Sequence, residues 1–272
     1  MRVEDIDEGS AGGELRAEVL LNVSYGNDAL QKMDVYLPAG RRAALTPALL
    51  LFHGGGWIGG DKRDFHLAVK SLAGQLPGLA IFNINYRLAT LNAQNLWPAQ
   101  IDDAKKALSF IQDRSESYQI NPNKIAVGGA SAGAHLALLL AYRHNAGNNI
   151  KVAIDLFGPT DLVALYHDTG NHNYPVLLSL FLRGTPQNSA ESYEIASPVT
   201  AVTKNSPPTL ILHGGHDRIV PVSQSEKLHA LLDSLQVKNQ LVIYPGERHG
   251  WYGRNLADTY NKMVAFLQEN LP

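Results

Sequence analysis

Gly129-Ala130-Ser131-Ala132-Gly133 is the most informative stretch of the sequence, because a strand pattern precedes it and a helical pattern follows it. The apolar run Lys124–Val127 predicts a buried strand, and Ala132–His144 has apolar residues at the i, i+3, i+4 spacing of a helix. A serine on a sharp turn from strand to helix has a strained backbone and an exposed hydroxyl, and flanking glycines let the two elements approach closely. The stretch therefore predicts a nucleophile elbow with Ser131 at its tip.

Strand and helix patterns alternate along the rest of the chain. Short, nearly continuous apolar runs indicate strands that are buried on both faces, as in a parallel sheet. The predicted strands are residues 15–24 and 30–37, an antiparallel pair, followed by Ala48–Phe52, Leu79–Ile84, Lys124–Val127, Val152–Phe157, Thr209–Leu212 and Leu241–Tyr244. The predicted helices are Asp61–Ala73, Pro98–Arg114, Ala132–His144, Ser223–Leu235 and Asn255–Gln268. The alternation predicts an α/β fold with eight mostly parallel strands and helices on both faces of the sheet.

One segment interrupts this alternation after the sixth strand. Residues 160–208 have no clear core strand, and the segment is too long for an ordinary loop. It contains one helical pattern near Pro175–Leu182. We therefore expect a single domain over residues 1–272, with 160–208 as a small lid-like insertion.

Composition excludes several kinds of partner. The 23 Lys and Arg residues nearly balance the 25 Asp and Glu residues, so the chain lacks the basic surplus of a nucleic-acid-binding protein. The absence of cysteine excludes disulfides and zinc–thiolate sites. Apolar runs fall short of the roughly 18 residues that span a bilayer, and the acidic residues 1–8 contain no apolar signal region. We expect a cytoplasmic protein without a membrane or nucleic-acid partner, and the oligomeric state stays open.

A nucleophilic serine needs a base, and the base needs a carboxylate that orients it. In folds with this elbow the order along the chain is serine, then acid, then histidine, each at the end of a late strand. Asp217 follows the strand Thr209–Leu212, and His249 follows the strand Leu241–Tyr244. Asp155 and Asp161 are rival acids, but the order and position favour Ser131, Asp217 and His249 as a catalytic triad.

Three consecutive glycines after the strand Ala48–Phe52 predict an oxyanion hole. In His53-Gly54-Gly55-Gly56-Trp57, backbone N–H groups can turn toward a bound oxyanion because no side chain obstructs them. We expect the N–H groups of Gly55 and Gly56 to act with that of Ala132, which follows the nucleophile. Trp57 and Trp251 adjoin these residues and are candidates for substrate contact.

Cofactor and metal sites find little support. Gly54–Gly59 matches the G-x-G-x-x-G pattern of dinucleotide sites, but the following strand ends without the acidic residue that would bind a ribose. His213, His216 and Asp217 alone have ligand-like spacing, and they are better explained as the loop that presents Asp217. We therefore expect no cofactor and no metal.

With these motifs the chain resembles an α/β-hydrolase of the carboxylesterase type. The His53–Trp57 segment is similar to that of hormone-sensitive-lipase-like esterases, and the whole is closer to the small esterases that include feruloyl-esterase-like and kynurenine-formamidase-like enzymes. The resemblance implies a serine esterase that acts on a small-molecule ester, and the small insertion favours short acyl groups. Two alternatives stay open, namely a formamide or amide hydrolase with the same triad and a non-catalytic ligand-binding protein with the hydrolase fold.

Overall fold

Eight strands form one sheet, whose central strands are buried on both faces and whose first strand, at one edge, is largely exposed. The computed structural model describes residues 15–168, 170 and 173–271. The strands are β1 (Glu18–Ser24), β2 (Lys32–Leu37), β3 (Ala48–Phe52), β4 (Ala80–Ile84), β5 (Ile125–Ala130), β6 (Ile150–Leu156), β7 (Thr209–Gly214) and β8 (Asn239–Tyr244). Their order in the sheet is β1-β2-β4-β3-β5-β6-β7-β8. Strand β2 is antiparallel to both of its neighbours, and all pairs from β4–β3 to β7–β8 are parallel.

Helices cover both faces of this sheet. The longer helices are α1 (His66–Gln75), α2 (Ala99–Asp113), α4 (Ala132–Arg143), α8 (Ser223–Ser234) and α9 (Gly253–Asn270), and α3 (Ser115–Tyr118) is a single turn. Every side chain of β3 is fully buried, and alternate residues enter different cores. Leu50 and Phe52 pack in the core that contains residues of α2, α4 and α8, whereas Leu49 and Leu51 pack with residues of α1 and α9. The predicted α/β-hydrolase fold is confirmed.

The insertion consists of short helices packed against the core. Between β6 and β7 lie α5 (Leu162–Tyr166), α6 (Tyr174–Phe181), α7 (Ala190–Ala196) and a 3₁₀ helix, Pro198–Ala201. Their buried residues Leu162, Leu178, Phe181 and Tyr193 belong to the same apolar cluster as α4. Because these side chains are fully or almost fully buried, the insertion forms a continuous core with the sheet and α4.

The carboxyl ends of β3, β5, β6, β7 and β8 meet at one edge of the sheet. Since these strands are parallel neighbours or nearly so, the loops that follow them come together in space. These loops contain every residue that we predicted for the catalytic site. Among the described residues, no helix has both the length and the hydropathy to cross a bilayer.

Candidate active site

Ser131 lies at the turn between β5 and α4 in a backbone conformation that is rare for a residue with a side chain. Its φ is 52° and its ψ is −120°, and its N–H donates to the Leu156 carbonyl at 2.8 Å. The flanking glycines are required by space, because a Cβ on Gly133 would lie 2.0 Å from the carbonyl oxygen of Phe52. A Cβ on Gly129 would lie 2.4 Å from the carbonyl carbon of Gly133. The elbow therefore has the geometry that the sequence motif predicts.

Three side chains from three loops form a continuous chain of hydrogen bonds. The Ser131 Oγ lies 2.9 Å from His249 Nε2, and His249 Nδ1 lies 2.7 Å from Asp217 Oδ2. Because an ionised carboxylate can only accept, His249 Nδ1 carries the hydrogen and Nε2 can accept from the serine hydroxyl. The loops after β5, β7 and β8 thus bring the three predicted residues into direct contact.

The carboxylate of Asp217 is buried, and both of its oxygens accept hydrogen bonds. Its Oδ1 accepts from the N–H groups of Ile219 at 2.8 Å and Val220 at 3.0 Å. Burial raises the pKa of Asp217, but hydrogen bonds from His213 and His249 outweigh burial and hold the pKa well below its usual range. Asp217 is therefore a stable negative charge beside the imidazole of His249.

His213 contacts Asp217, the acid at the end of the row of hydrogen bonds. The sequence analysis did not predict this contact. The side chain of His213 is fully buried, and Nε2 lies 3.2 Å from Asp217 Oδ2 and 2.9 Å from the Val220 carbonyl oxygen. Both neighbours accept hydrogen bonds, so Nε2 carries a hydrogen, while Nδ1 lies 2.7 Å from Ser225 Oγ. The sequence signal was available, because His213 precedes Asp217 by four residues at the end of β7.

The rival acids have other partners. Asp161 accepts from the Ala164 N–H at the start of α5 and pairs with Lys227. Asp155 is fully buried and accepts from the Gly158 N–H at 2.7 Å. Within the described part of the chain, Asp217 alone provides a carboxylate to His249.

The glycine loop after β3 lies directly against the elbow. A Cβ on Gly54 would lie 3.0 Å from the Ala130 carbonyl oxygen and 3.4 Å from Ser131 Cβ. Gly55 and Gly56 have φ values of 112° and 60°, which a residue with a side chain rarely adopts. No described residue accepts a hydrogen bond from the N–H of Gly55, Gly56 or Ala132. These three groups are therefore available to a ligand beside Ser131.

A cavity of about 320 Å³ opens at this point, and we call it the Ser131 cavity. The glycine loop, the elbow and His249 border it on one side. Its other walls come from the insertion and from the loop after β7, and they include Pro159, Tyr174, Leu177, Ile219 and Val220. The sequence analysis did not predict these wall residues, because a periodic pattern indicates a helix but not which side chains of separate segments meet around a cavity.

The two candidate tryptophans occupy different places. Trp57 borders the Ser131 cavity, but its ring is only 1% exposed because it stacks on Phe181 at 4.6 Å between ring centres. Its Nε1 donates to His135 Nδ1 at 3.2 Å, and burial lowers the pKa of His135 to about 4. Trp251 is not among the residues that line the Ser131 cavity, and its Nε1 donates to Thr259 Oγ1 at 2.8 Å.

Residues that could bind a metal do not converge within the described ranges. No group of three or more His, Asp or Glu side chains there has a metal-binding arrangement. His216 is exposed and points to no such cluster, although His213 and Asp217 are in contact.

Comparison with known proteins finds a probable carboxylic ester hydrolase and a methylesterase among the relatives of this chain. It is 32% identical over 210 residues to the probable carboxylic ester hydrolase LipM of Mycobacterium tuberculosis, covering 73% of this chain and 47% of LipM. It is 27% identical over 253 residues to the isoprenylcysteine alpha-carbonyl methylesterase ICME of Arabidopsis thaliana, covering 85% of this chain and 56% of ICME. The chain thus spans about half the length of these curated relatives.

Solved structures with the same fold include esterases. A bifunctional GH43-CE protein of Bacteroides eggerthii superposes with a TM-score of 0.78 at 25% identity, over 92% of this chain and 38% of that one. The propionate-bound esterase Est2 of Thermogutta terrifontis gives a TM-score of 0.74 at 23% identity, over 93% and 94% of the two chains. The model of the BD-FAE family matches residues 33–232, which include Ser131 and Asp217. The chain therefore belongs to the BD-FAE family and has the α/β-hydrolase fold of its carboxylic ester hydrolase relatives.

Proposed function

We propose that this chain is a serine carboxylesterase that hydrolyses short-acyl esters of small molecules through an acyl-enzyme intermediate. The observation that carries the proposal is the hydrogen-bonded chain from Ser131 through His249 to Asp217, with distances of 2.9 Å and 2.7 Å. Its relatives LipM and ICME, described as a carboxylic ester hydrolase and a methylesterase, support the same reaction class.

Ser131 is the nucleophile in the first half of the reaction, and His249 is its base. The Ser131 Oγ forms a bond to the carbonyl carbon of the ester while its proton passes to His249 Nε2. Asp217 holds the imidazole in the required tautomer and stabilises the imidazolium that forms. His249 then returns the proton to the alkoxide as the bond between carbon and leaving oxygen breaks, so a neutral alcohol departs.

Water completes the cycle. It attacks the acyl-enzyme carbonyl as its proton passes to His249 Nε2, and the proton then returns to Ser131 Oγ as the acid leaves. In both halves the carbonyl oxygen becomes an oxyanion that accepts from the N–H groups of Gly55, Gly56 and Ala132. Donors of this kind each stabilise a transition state by about 3–4 kcal/mol.

The size of the Ser131 cavity supports a short acyl group. At about 320 Å³ it lies at the small end of the range for ligand pockets. We further propose that the described residues of the segment 160–208 form a cap over this cavity within a single domain. The support is the packing of α6, because Phe181 stacks on Trp57 and lies 5.8 Å from the ring centre of Trp97.

The test is hydrolysis of p-nitrophenyl esters from acetyl to dodecanoyl by the wild type, Ser131→Ala and a matched control, Ser223→Ala, at an exposed position on α8. We expect activity to peak at short chains, to fall about 10³-fold or more in Ser131→Ala and to persist in the control. Faster turnover of N-formyl amides than of esters would replace the esterase proposal with a formamidase. Absence of turnover on both substrate classes would favour a non-catalytic binding protein.

A further inference from the structure

A second cavity borders His249, and the proposed reaction does not yet account for it. It has a volume of about 240 Å³ and lies between α1, α9 and the loop that follows β8, so we call it the α1–α9 cavity. Among the residues that the structure describes, His249 alone lines both this cavity and the Ser131 cavity. His249 therefore borders both cavities.

The lining of the α1–α9 cavity is mainly aromatic and aliphatic. Its walls include Phe65, Leu67, Phe157, Trp251, Tyr252 and Tyr260. The polar atoms of the wall residues Trp251 and Thr259 already have partners within the protein, since Trp251 Nε1 donates to Thr259 Oγ1, which lies 2.8 Å from the Asn255 carbonyl oxygen and 3.2 Å from the Tyr244 hydroxyl. Leu67 and Tyr252 nevertheless remain 64% and 87% exposed. This surface is suited to an apolar or aromatic group that covers these side chains.

Phe157 joins this cavity to the catalytic histidine through an unusual backbone. Its φ is 48°, a value that is a genuine outlier for a bulky residue, and its N–H donates to the Leu212 carbonyl at 2.8 Å. In this conformation its ring lies edge-on to His249 at 4.8 Å and to Trp251 at 5.3 Å between ring centres. The strained residue thus forms a wall that is continuous from the imidazole into the cavity.

The proposed reaction fixes the positions of two oxygens of the ester relative to these cavities. The carbonyl oxygen must lie at the N–H groups of Gly55, Gly56 and Ala132, all of which line the Ser131 cavity. The leaving oxygen must lie within hydrogen-bond reach of His249 Nε2, which protonates it. The acyl and alcohol substituents leave the carbonyl group in different directions, and the α1–α9 cavity borders His249 without any of the three oxyanion donors, so this cavity is available to the alcohol.

We propose that the α1–α9 cavity binds the alcohol portion of the substrate and that the chain favours esters of aryl-bearing or other bulky apolar alcohols. This inference rests on the proposed esterase function. It divides the substrate into a short acyl group in the Ser131 cavity and a larger apolar alcohol beyond His249.

The test compares esters that are enlarged on one side only. Ethyl acetate is the reference, 2-phenylethyl acetate carries the aromatic ring on the alcohol, and ethyl 3-phenylpropanoate carries it on the acyl group. The double variant Leu67→Ala/Tyr252→Ala removes two exposed walls of the α1–α9 cavity, and Leu45→Ala, an exposed leucine outside both cavities, is the matched control. A second readout is the inhibition constant of 2-phenylethanol, together with its binding to Ser131→Ala by calorimetry, which needs no turnover.

We expect the double variant to lower the ratio of kcat/KM for 2-phenylethyl acetate to that for ethyl acetate about tenfold. The inhibition constant of 2-phenylethanol should rise by a similar factor, and Leu45→Ala should change neither quantity. A loss confined to ethyl 3-phenylpropanoate would place the acyl group in this cavity and overturn the proposal, as would equal losses for all esters or no loss. If Ser131→Ala kept the activity of the wild type, the proposed function would fail, whereas loss of 2-phenylethanol binding in the double variant would still identify the cavity.

Discussion

Asp155 gives the sharpest prediction about stability, because it is a fully buried carboxyl with too few donors. Its Oδ1 accepts from the Gly158 N–H at 2.7 Å, and Oδ2 has no hydrogen-bond partner within the described part of the chain. Burial raises the pKa of Asp155 to about 7, although the Gly158 N–H and the nearby His213 oppose this rise. The folded protein therefore keeps the proton at pH values where the unfolded chain has lost it.

The sign and size of the effect follow from linkage between protonation and folding. An unfolded Asp has a pKa near 3.8, so between about pH 4 and pH 7 the folded state binds more protons than the unfolded state. The contribution of Asp155 to the free energy of unfolding is thus fully present below pH 4 and declines as the pH rises through 7. Three pKa units at about 1.4 kcal/mol each give a decline of about 4 kcal/mol.

The perturbation is Asp155→Asn, which keeps the shape and the acceptor for Gly158 but cannot titrate. We expect the free energy of unfolding of the variant, minus that of the wild type, to increase by about 3 kcal/mol from pH 4.5 to pH 8. Urea denaturation followed by tryptophan fluorescence at four pH values measures this difference, and Asp113→Asn is the control because Asp113 is exposed. Parallel stability curves for the variant and the wild type would refute the reasoning, since they would mean that Asp155 is ionised in the folded protein throughout.

Three further substitutions test other contacts. Asp217→Asn should lower kcat/KM for a short-chain ester by about 10⁴-fold, because an amide at this position favours the wrong tautomer of His249; a loss under tenfold would contradict the triad. Trp57→Phe should lower the free energy of unfolding by about 1–3 kcal/mol in urea denaturation, because His135 Nδ1 is left buried without a donor. Lys62→Met should lower the free energy of unfolding by about 3–5 kcal/mol in the same assay, because Lys62 Nζ lies 2.9 Å from the buried carboxylate of Asp34. The control is Lys105→Met, which removes an exposed ion pair with Asp102 and should lower it by under about 1 kcal/mol.

The sheet and the elbow could be predicted because their signals are local. The predicted strand Ala48–Phe52 coincides with β3, and the predicted helix Ala132–His144 differs from α4 by one residue. Strand β6, Ile150–Leu156, begins two residues and ends one residue before the predicted Val152–Phe157, because pairing with neighbouring strands rather than hydropathy sets where a strand ends. Continuous apolar runs and a glycine-flanked serine carry this information within about ten residues of sequence.

The insertion could not be predicted in the same way. The helical pattern near Pro175–Leu182 corresponds to α6, but α5 and α7 have only five and seven residues. Helices this short are not stable alone and form because other parts of the molecule bury one face. In this case Leu162 and Tyr193 are fully buried in the cluster around α4, a contact that no local pattern reports.

Asp155 on β6 and Asp217 in the loop after β7 are buried carboxyls whose environments shift their pKa values in opposite directions. Asp217 receives hydrogen bonds from two histidines and two backbone N–H groups, and its pKa falls well below the usual range. Asp155 receives one, and its pKa rises to about 7. In the sequence, chain order together with position after a late strand favoured Asp217 over Asp155, and the number of donors explains why only Asp217 is suited to stabilise an imidazolium at neutral pH. His213, which the sequence analysis explained only as part of the loop that presents Asp217, thus contributes one of the four hydrogen bonds that keep this acid ionised.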